Sequence, residues 1–286
     1  MGERRETGPG VGAERRPSSP GGYVVDGLAR VAVSIDADNL SSRAASVVVT
    51  ETAQHGTLAV KRAYGDWAGP HLTGWRPELA KHAITPVQQF AWVKGKNATD
   101  TALIIDAMDL LYAGHIDVFC LVSSDSDFTR LALRLRESGR RVYGIGRRTT
   151  SQAFTNACDR FTFVEVLLGQ PLDAVEANGR DAVTSGTAGV GAATAAGDEP
   201  DPSAPPELPA VEEVVVPAID AAVREDGWAP LATVGWHIVA AHPTFDARNY
   251  GYAKLGELVA TLTSVEMRRE QTSSGAVHVF VRRLRS

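Results

Sequence analysis

Apolar positions along the chain fall into short β-branched runs that alternate with stretches of helical spacing. Arg30-Val31-Ala32-Val33-Ser34-Ile35 is strand-like and closes at Asp36-Ala37-Asp38-Asn39, after which Ser41 and Ser42 offer caps for a helix reaching His55 and stopped by Gly56. Thr57 to Tyr64 alternates as a second strand, broken by Gly65-Asp66-Trp67-Ala68-Gly69-Pro70. Trp75 to Ala83 reads as a short helix and Ile84 to Trp92 as a third strand. Beyond the polar turn Lys94-Gly95-Lys96-Asn97, Thr99 is placed to cap a helix in which Leu103, Ile104, Ala107, Leu110 and Leu111 line one face. Val118-Phe119-Cys120-Leu121-Val122 follows as an apolar strand that empties into Ser123-Ser124-Asp125-Ser126-Asp127-Phe128. An Arg-rich helix to Ser138, a stop at Gly139, a strand Val142 to Ile145, a helix Gln152 to Asp159 and an edge strand Phe161 to Val166 complete the series. Strands alternating with helices in this way predict a mostly parallel sheet flanked by helices, an α/β fold.

The pattern then stops. Residues 169–210 turn to Ala, Gly, Thr, Pro and acidic residues with almost no aromatics, a composition that cannot bury enough surface to order itself and is expected to be a linker. From Val211 the periodicity resumes. Val214 to Glu225 is an amphipathic helix, a second helix starts at Trp228-Ala229-Pro230-Leu231 and runs through Ala241, and Tyr252 to Leu262 is a third. Val265 to Arg282 reads as a β-hairpin. Three helices and a hairpin predict a small α+β winged-helix domain, a relative of helix-turn-helix. The expected organisation is a disordered tail (1–27), an α/β domain (28–168), a linker (169–210) and a winged-helix domain (211–286).

Composition narrows the picture in a few places. The 286 residues have room for two domains, and no apolar run reaches the ~20 residues of a membrane helix. The first twenty residues lack the apolar core of a secretory signal, and Cys120 and Cys158 form no metal spacing or disulfide framework, so a reduced cytoplasm is expected. A formal charge of −5 argues against a wholly basic nucleic-acid binder without constraining any single face.

The chemistry lies in acids at strand ends. Asp36 closes the first strand, Asp100 opens the helix after the third, and Asp125 and Asp127 follow the fourth. A parallel sheet gathers the carboxyl ends of its strands, where ligands bind in open α/β folds. Four carboxylates converging there suit a hard divalent cation, Mg²⁺ or Mn²⁺, able to activate water and neutralise an attacked phosphodiester. Asn39, Ser123 and Ser124 are neutral donors beside them. Simpler roles compete: Asp127 as a helix cap, Asp100 as a first-turn acid at the helix dipole, Asp38 as an exposed turn residue pointing away from Asp36, Asp106 and Asp109 as solvated or hydrogen-bonded helix positions. Lys94 and Lys96 before the acidic helix, and Arg147 and Arg148 after the fifth strand, are candidates to hold phosphate, as are Arg130 and Arg134. Gly144-Ile145-Gly146 follows the wrong strand for a dinucleotide loop.

Residues 30–166 resemble the NYN domain, a PIN-like ribonuclease family with a Rossmann-like sheet. The likeness rests on Val33-Ser34-Ile35-Asp36-Ala37-Asp38-Asn39, on Lys96-Asn97-Ala98-Thr99-Asp100 with Leu103 and Asp106, and on Ser123-Ser124-Asp125-Ser126-Asp127-Phe128. Val142 to Gly146 and Cys158-Asp159-Arg160-Phe161 extend it, while Ser124 stands where glycine is common and Asn97-Ala98 replaces the more usual glycine-valine. The resemblance implies RNA cleavage with Mg²⁺ or Mn²⁺ held by Asp36, Asp100, Asp125 and Asp127, supported by Asn39; Lys96, Ser124, Arg147 and Arg148, by their positions beside these acids, are the residues expected on the RNA. Residues 211–284 resemble the OST-HTH/LOTUS module through Asp226-Gly227-Trp228, His242-Pro243, Phe245-Asp246 and Arg248-Asn249-Tyr250-Gly251-Tyr252. This second likeness implies RNA binding or protein partners, and the cations Arg248, Lys254, Arg268 and Arg269, expected to be exposed, are the candidates to touch RNA phosphate. The reading is a metal-dependent ribonuclease with a targeting module; its rivals are a non-catalytic RNA-binding scaffold and a small-molecule phosphatase.

Overall fold

The computed structural model describes residues 28–90, 98–169, 208–271 and 277–284. The expected amino-terminal tail, Lys94, Lys96 and most of the expected linker lie outside the described residues.

Two apolar runs without a polar face set the centre of the first domain. β1 (Arg30–Asp36) and β4 (Val118–Val122) are buried along nearly their whole length, as strands covered by helices on both faces must be. They pair in parallel, with Ile35 opposite Val122. β2 (Thr57–Gly65) and β3 (Thr85–Gln88) extend the sheet on one side, β5 (Arg141–Gly146) and β6 (Arg160–Phe163) on the other. All pairs are parallel, in the order β3-β2-β1-β4-β5-β6. One apolar layer packs α1 (Ala45–Ala53) and α2 (Trp75–His82) around Val33, Ile35, Val48 and Trp75. The other packs α3 (Ala98–Ala113), α4 (Thr129–Glu137) and α5 (Gln152–Ala157) around Leu103, Phe119, Leu135 and Phe161.

Several expected boundaries move. Among the described residues, pairing in the third strand covers Thr85 to Gln88, where the Gln88 amide turns to Asp66 (Nε2 to Oδ1, 2.8 Å), and the expected end of that strand, Ala91 and Trp92, lies outside them. The expected last strand ends at Phe163, and Val164–Leu167 forms the short α6, because Val164 and Leu167, three apart, both pack against the α1 layer. Thr99 is not the cap of α3. It lies inside the first turn, and its hydroxyl donates to Asp38 Oδ2 at 2.9 Å.

In the second domain, α7 (Val211–Ala222) and α8 (Leu231–Ala241) enclose a core of Val215, Ile219, Val234, Ile238 and Phe245 with the short α9 (Leu255–Val259). Ala229–Pro230, expected inside the second helix, is a short strand, β7, whose proline holds an extended backbone and pushes the helix start to Leu231. The third helix is shorter than expected. Gly251, in the left-handed region at φ 84°, ends a 3-10 turn over Ala247–Tyr250, and the chain is still extended at Lys254. β8 (Val265–Gln271) and β9 (Val277–Arg283) form the hairpin, and β7 pairs with β9.

Candidate metal and RNA site

The strand order reverses direction between β1 and β4, and the crevice beyond their carboxyl ends is where open α/β sheets take ligands. Asp36 ends β1 there, 3 % exposed. Its Oδ2 accepts from Ser123 Oγ at 2.8 Å and its Oδ1 from the Asn39 amide at 3.2 Å. Burial, with repulsion from Asp100 and Asp38, outweighs these two bonds and lifts its pKa from 3.8 to about 6. Ser123 in turn accepts from the Asp125 amide at 3.1 Å, so one hydroxyl ties the end of β1 to the turn after β4.

Carboxylate oxygens of Asp100, Asp125 and Asp127 come within 4.8 Å of one another. The first arrives on the opening turn of α3; Asp125 caps, and Asp127 lies within, the 3-10 turn (Ser126–Phe128) that leads into α4. Asp100 is raised above its ordinary value by burial first, then by Asp125, Asp127 and Asp38. Three crowded acids form an oxygen donor set fitted to a hard divalent cation, which would relieve the repulsion that Asp100 registers. Asp36 is not in this trio; it stands behind, joined through Ser123. The helix cap also falls differently from the expectation. It is Asp125, not Asp127, whose Oδ1 accepts from a main-chain amide, that of Asp127 at 2.9 Å.

Around the trio the polar residues lock each other. Asn39 Oδ1 accepts from the Ser124 amide (3.3 Å), Ser124 Oγ accepts from the Arg147 amide (2.8 Å), and Arg147 Nη2 donates to the Asn39 carbonyl (2.8 Å). Arg147 is thereby held, exposed, at the rim. Asp38 is exposed as expected but does not point away: it bonds Thr99 and lies 3.0 Å from His71 Nε2, bridging β1 to α3. Asp106 is hydrogen-bonded, as the simpler reading had it, to Arg62 and the Tyr64 hydroxyl on β2. Gly144 and Gly146 serve packing. A Cβ on the first would sit 2.2 Å from the Phe161 ring, and on the second 2.5 Å from the Ser123 carbonyl oxygen.

The other expected RNA contacts scatter. Lys96 lies outside the described residues. Arg148 turns away from the acids, over the Phe163 ring (5.3 Å) and toward Asn249 in the second domain (3.2 Å). Arg248, expected to be exposed, is half-buried between Asp246 and Glu51. Arg268 lies over Trp228 at 4.4 Å and pairs with Glu270 at 2.8 Å, while Lys254 and Arg269 are exposed. Sequence reasoning passed over Glu51, 4 % exposed, although an acid following Ala45 and Val48 on the buried stripe of α1 is a visible signal. Cys120 and Cys158 are free and buried, their thiols pushed up by that burial. Among the described residues no helix is long and apolar enough to cross a membrane.

Residues 30–167 match the NYN domain family and residues 207–277 the OST-HTH/LOTUS domain family. No curated protein matches the chain. Among solved structures, a Vibrio parahaemolyticus protein of unknown function is 20 % identical with a TM-score of 0.42, covering 49 % of this chain and 96 % of its own. An uncharacterized Nitrosomonas europaea protein is 26 % identical with a TM-score of 0.26, covering 33 % of this chain and 93 % of its own. The chain therefore carries an NYN domain over residues 30–167 followed by an OST-HTH/LOTUS domain over residues 207–277.

Proposed function

We propose that the protein is a divalent-metal-dependent ribonuclease whose second domain binds or targets RNA. The observation that carries this reading is the trio Asp100, Asp125 and Asp127, gathered within 4.8 Å in an NYN domain. Asp100, Asp125 and Asp127 would hold Mg²⁺ or Mn²⁺. When bound, the ion supplies a water of lowered pKa and neutralises charge on a phosphodiester oxygen. The remaining work belongs to side chains. Asp36, through Ser123, positions the Asp125 amide and hence the carboxylate that follows it. Asn39 holds Ser124 and, by its carbonyl, the Arg147 guanidinium, whose exposed edge faces phosphate without reading a base.

Purified protein is incubated with labelled single-stranded RNA and Mn²⁺ or Mg²⁺, beside an Asp125→Asn control. The expected result is metal-dependent decay that the control lacks. RNA left intact by the parent in both metals refutes catalysis, and equal decay by the control refutes the assignment of Asp125.

A further inference from the structure

The second domain is docked against the first through buried charge. Glu51 of α1 accepts a two-pronged bond from Arg248, both contacts at 3.1 Å across 197 residues of sequence. Asp246, 8 % exposed, accepts from Arg248 and, at 3.2 Å, from Arg160 at the start of β6. The Phe161 amide donates to the Pro243 carbonyl at 2.7 Å, which covers part of the open edge of β6. A carboxylate as buried as Glu51 is tolerated only with such partners, and its nearest are Arg248 and Arg160.

Docking creates a cleft of about 860 Å³ between α8 and the amino-terminal ends of β5 and β6. Its floor is Tyr143 against His55, ring centres 4.2 Å apart, and its wall carries Trp236, 68 % exposed. Most of the charge in and around it cancels: Arg136 pairs with Asp159 at 2.9 Å, and Arg160 and Arg248 balance Glu51 and Asp246. Arg141 lines the cleft, exposed and with no carboxylate within 4.0 Å among the described residues. One uncompensated guanidinium and one largely exposed indole, in T-shaped contact with its neighbour His237 at 4.9 Å, in a cleft of nucleotide size match a phosphate and a base.

We propose that this cleft is a second nucleotide site, which takes a base of single-stranded RNA on Trp236 and its phosphate on Arg141, and which exists only while the domains are docked. The choice of RNA rests on the ribonuclease reading. β5, six residues long, places the cleft roughly 20 Å from the strand ends that carry the acids. The cleft therefore holds RNA away from the scissile bond and acts on long substrates alone.

The test uses the full chain and two labelled oligouridylates. One has about 20 nucleotides, longer than the ~4–16 that a single-strand site spans; the other has about 3. Anisotropy in EDTA reads binding without cleavage. Trp236→Ala, Arg141→Gln and Arg248→Ala should each weaken binding of the long oligonucleotide about tenfold, with Trp236→Phe restoring most of it. Cleavage of the short oligonucleotide in Mn²⁺, which cannot fill the cleft and the acidic site at once, should stay at the parental level. With Mn²⁺, KM for the long substrate should rise while kcat holds. Trp236 and Arg141 are exposed, so their replacements keep the parental unfolding transition, which is measured alongside. Parental affinity in both Trp236→Ala and Arg141→Gln overturns the proposal even if the protein cleaves RNA. Cleft-dependent binding by a parent that never cleaves sustains the cleft and refutes the ribonuclease reading instead.

Discussion

Asp36→Asn tests whether the carboxylate behind the acidic trio is held at a cost. Asp36 is 3 % exposed and its pKa stands at about 6 against 3.8 when unfolded. A carboxyl raised in the folded state binds its proton more tightly there. Its favourable contribution is complete below pH 3.8 and is lost as pH rises through about 6. The full loss is about 3 kcal/mol, at ~1.36 kcal/mol per pKa unit. Asparagine removes this dependence. It can still accept from Ser123, but its NH₂ then meets the Asn39 amide, which costs about 1 kcal/mol as one hydrogen bond is lost. The variant should thus be roughly 2 kcal/mol more stable than the parent at about pH 8 and near parity at about pH 4.5, where most of the parent's carboxyls hold their proton in the folded state. Urea unfolding of both proteins in EDTA at several pH values measures the difference. A stability difference that stays constant from acid to alkaline pH would show that Asp36 is not the strained carboxylate described here, whatever happens to activity.

Three further outcomes are expected. Asp125→Asn should unfold within about 0.5 kcal/mol of the parent, because asparagine caps the 3-10 turn nearly as well, while cleavage falls by orders of magnitude; equal losses of both would mean a structural role. Gly146→Ala should destabilise by about 1–3 kcal/mol in denaturant melts, since its Cβ meets a main-chain oxygen that cannot turn aside, and a neutral result would contradict the packing role. Limited proteolysis should cut within the Ala-, Gly- and Pro-rich segment before Pro209, yet the fragments should co-elute until Arg248→Ala leaves Glu51 buried without its bidentate partner; fragments that separate in the parent would refute the docking.

Much of this protein is legible in its sequence by itself. Uninterrupted apolar runs such as Val118 to Val122 must be buried on both faces, and the helices between them predict a parallel sheet with acids at its strand ends. Asp125 and Asp127 reach their place by local connection alone, because the chain leaves β4 directly into a capped turn. Tertiary structure decided what local pattern cannot encode. The strand order set β1 beside β4, and only that pairing lets Ser123 join Asp36 to the Asp125 turn. Asp100 and Asp106 share one helix, yet the first turns to the acidic trio and the second to Arg62 and Tyr64, according to what the sheet presents to each turn of α3. Arg248 looked like a surface cation for RNA and became the partner of a buried acid. Periodicity reports which face of an element is buried; the charge waiting opposite it, 197 residues away, is chosen by packing in three dimensions.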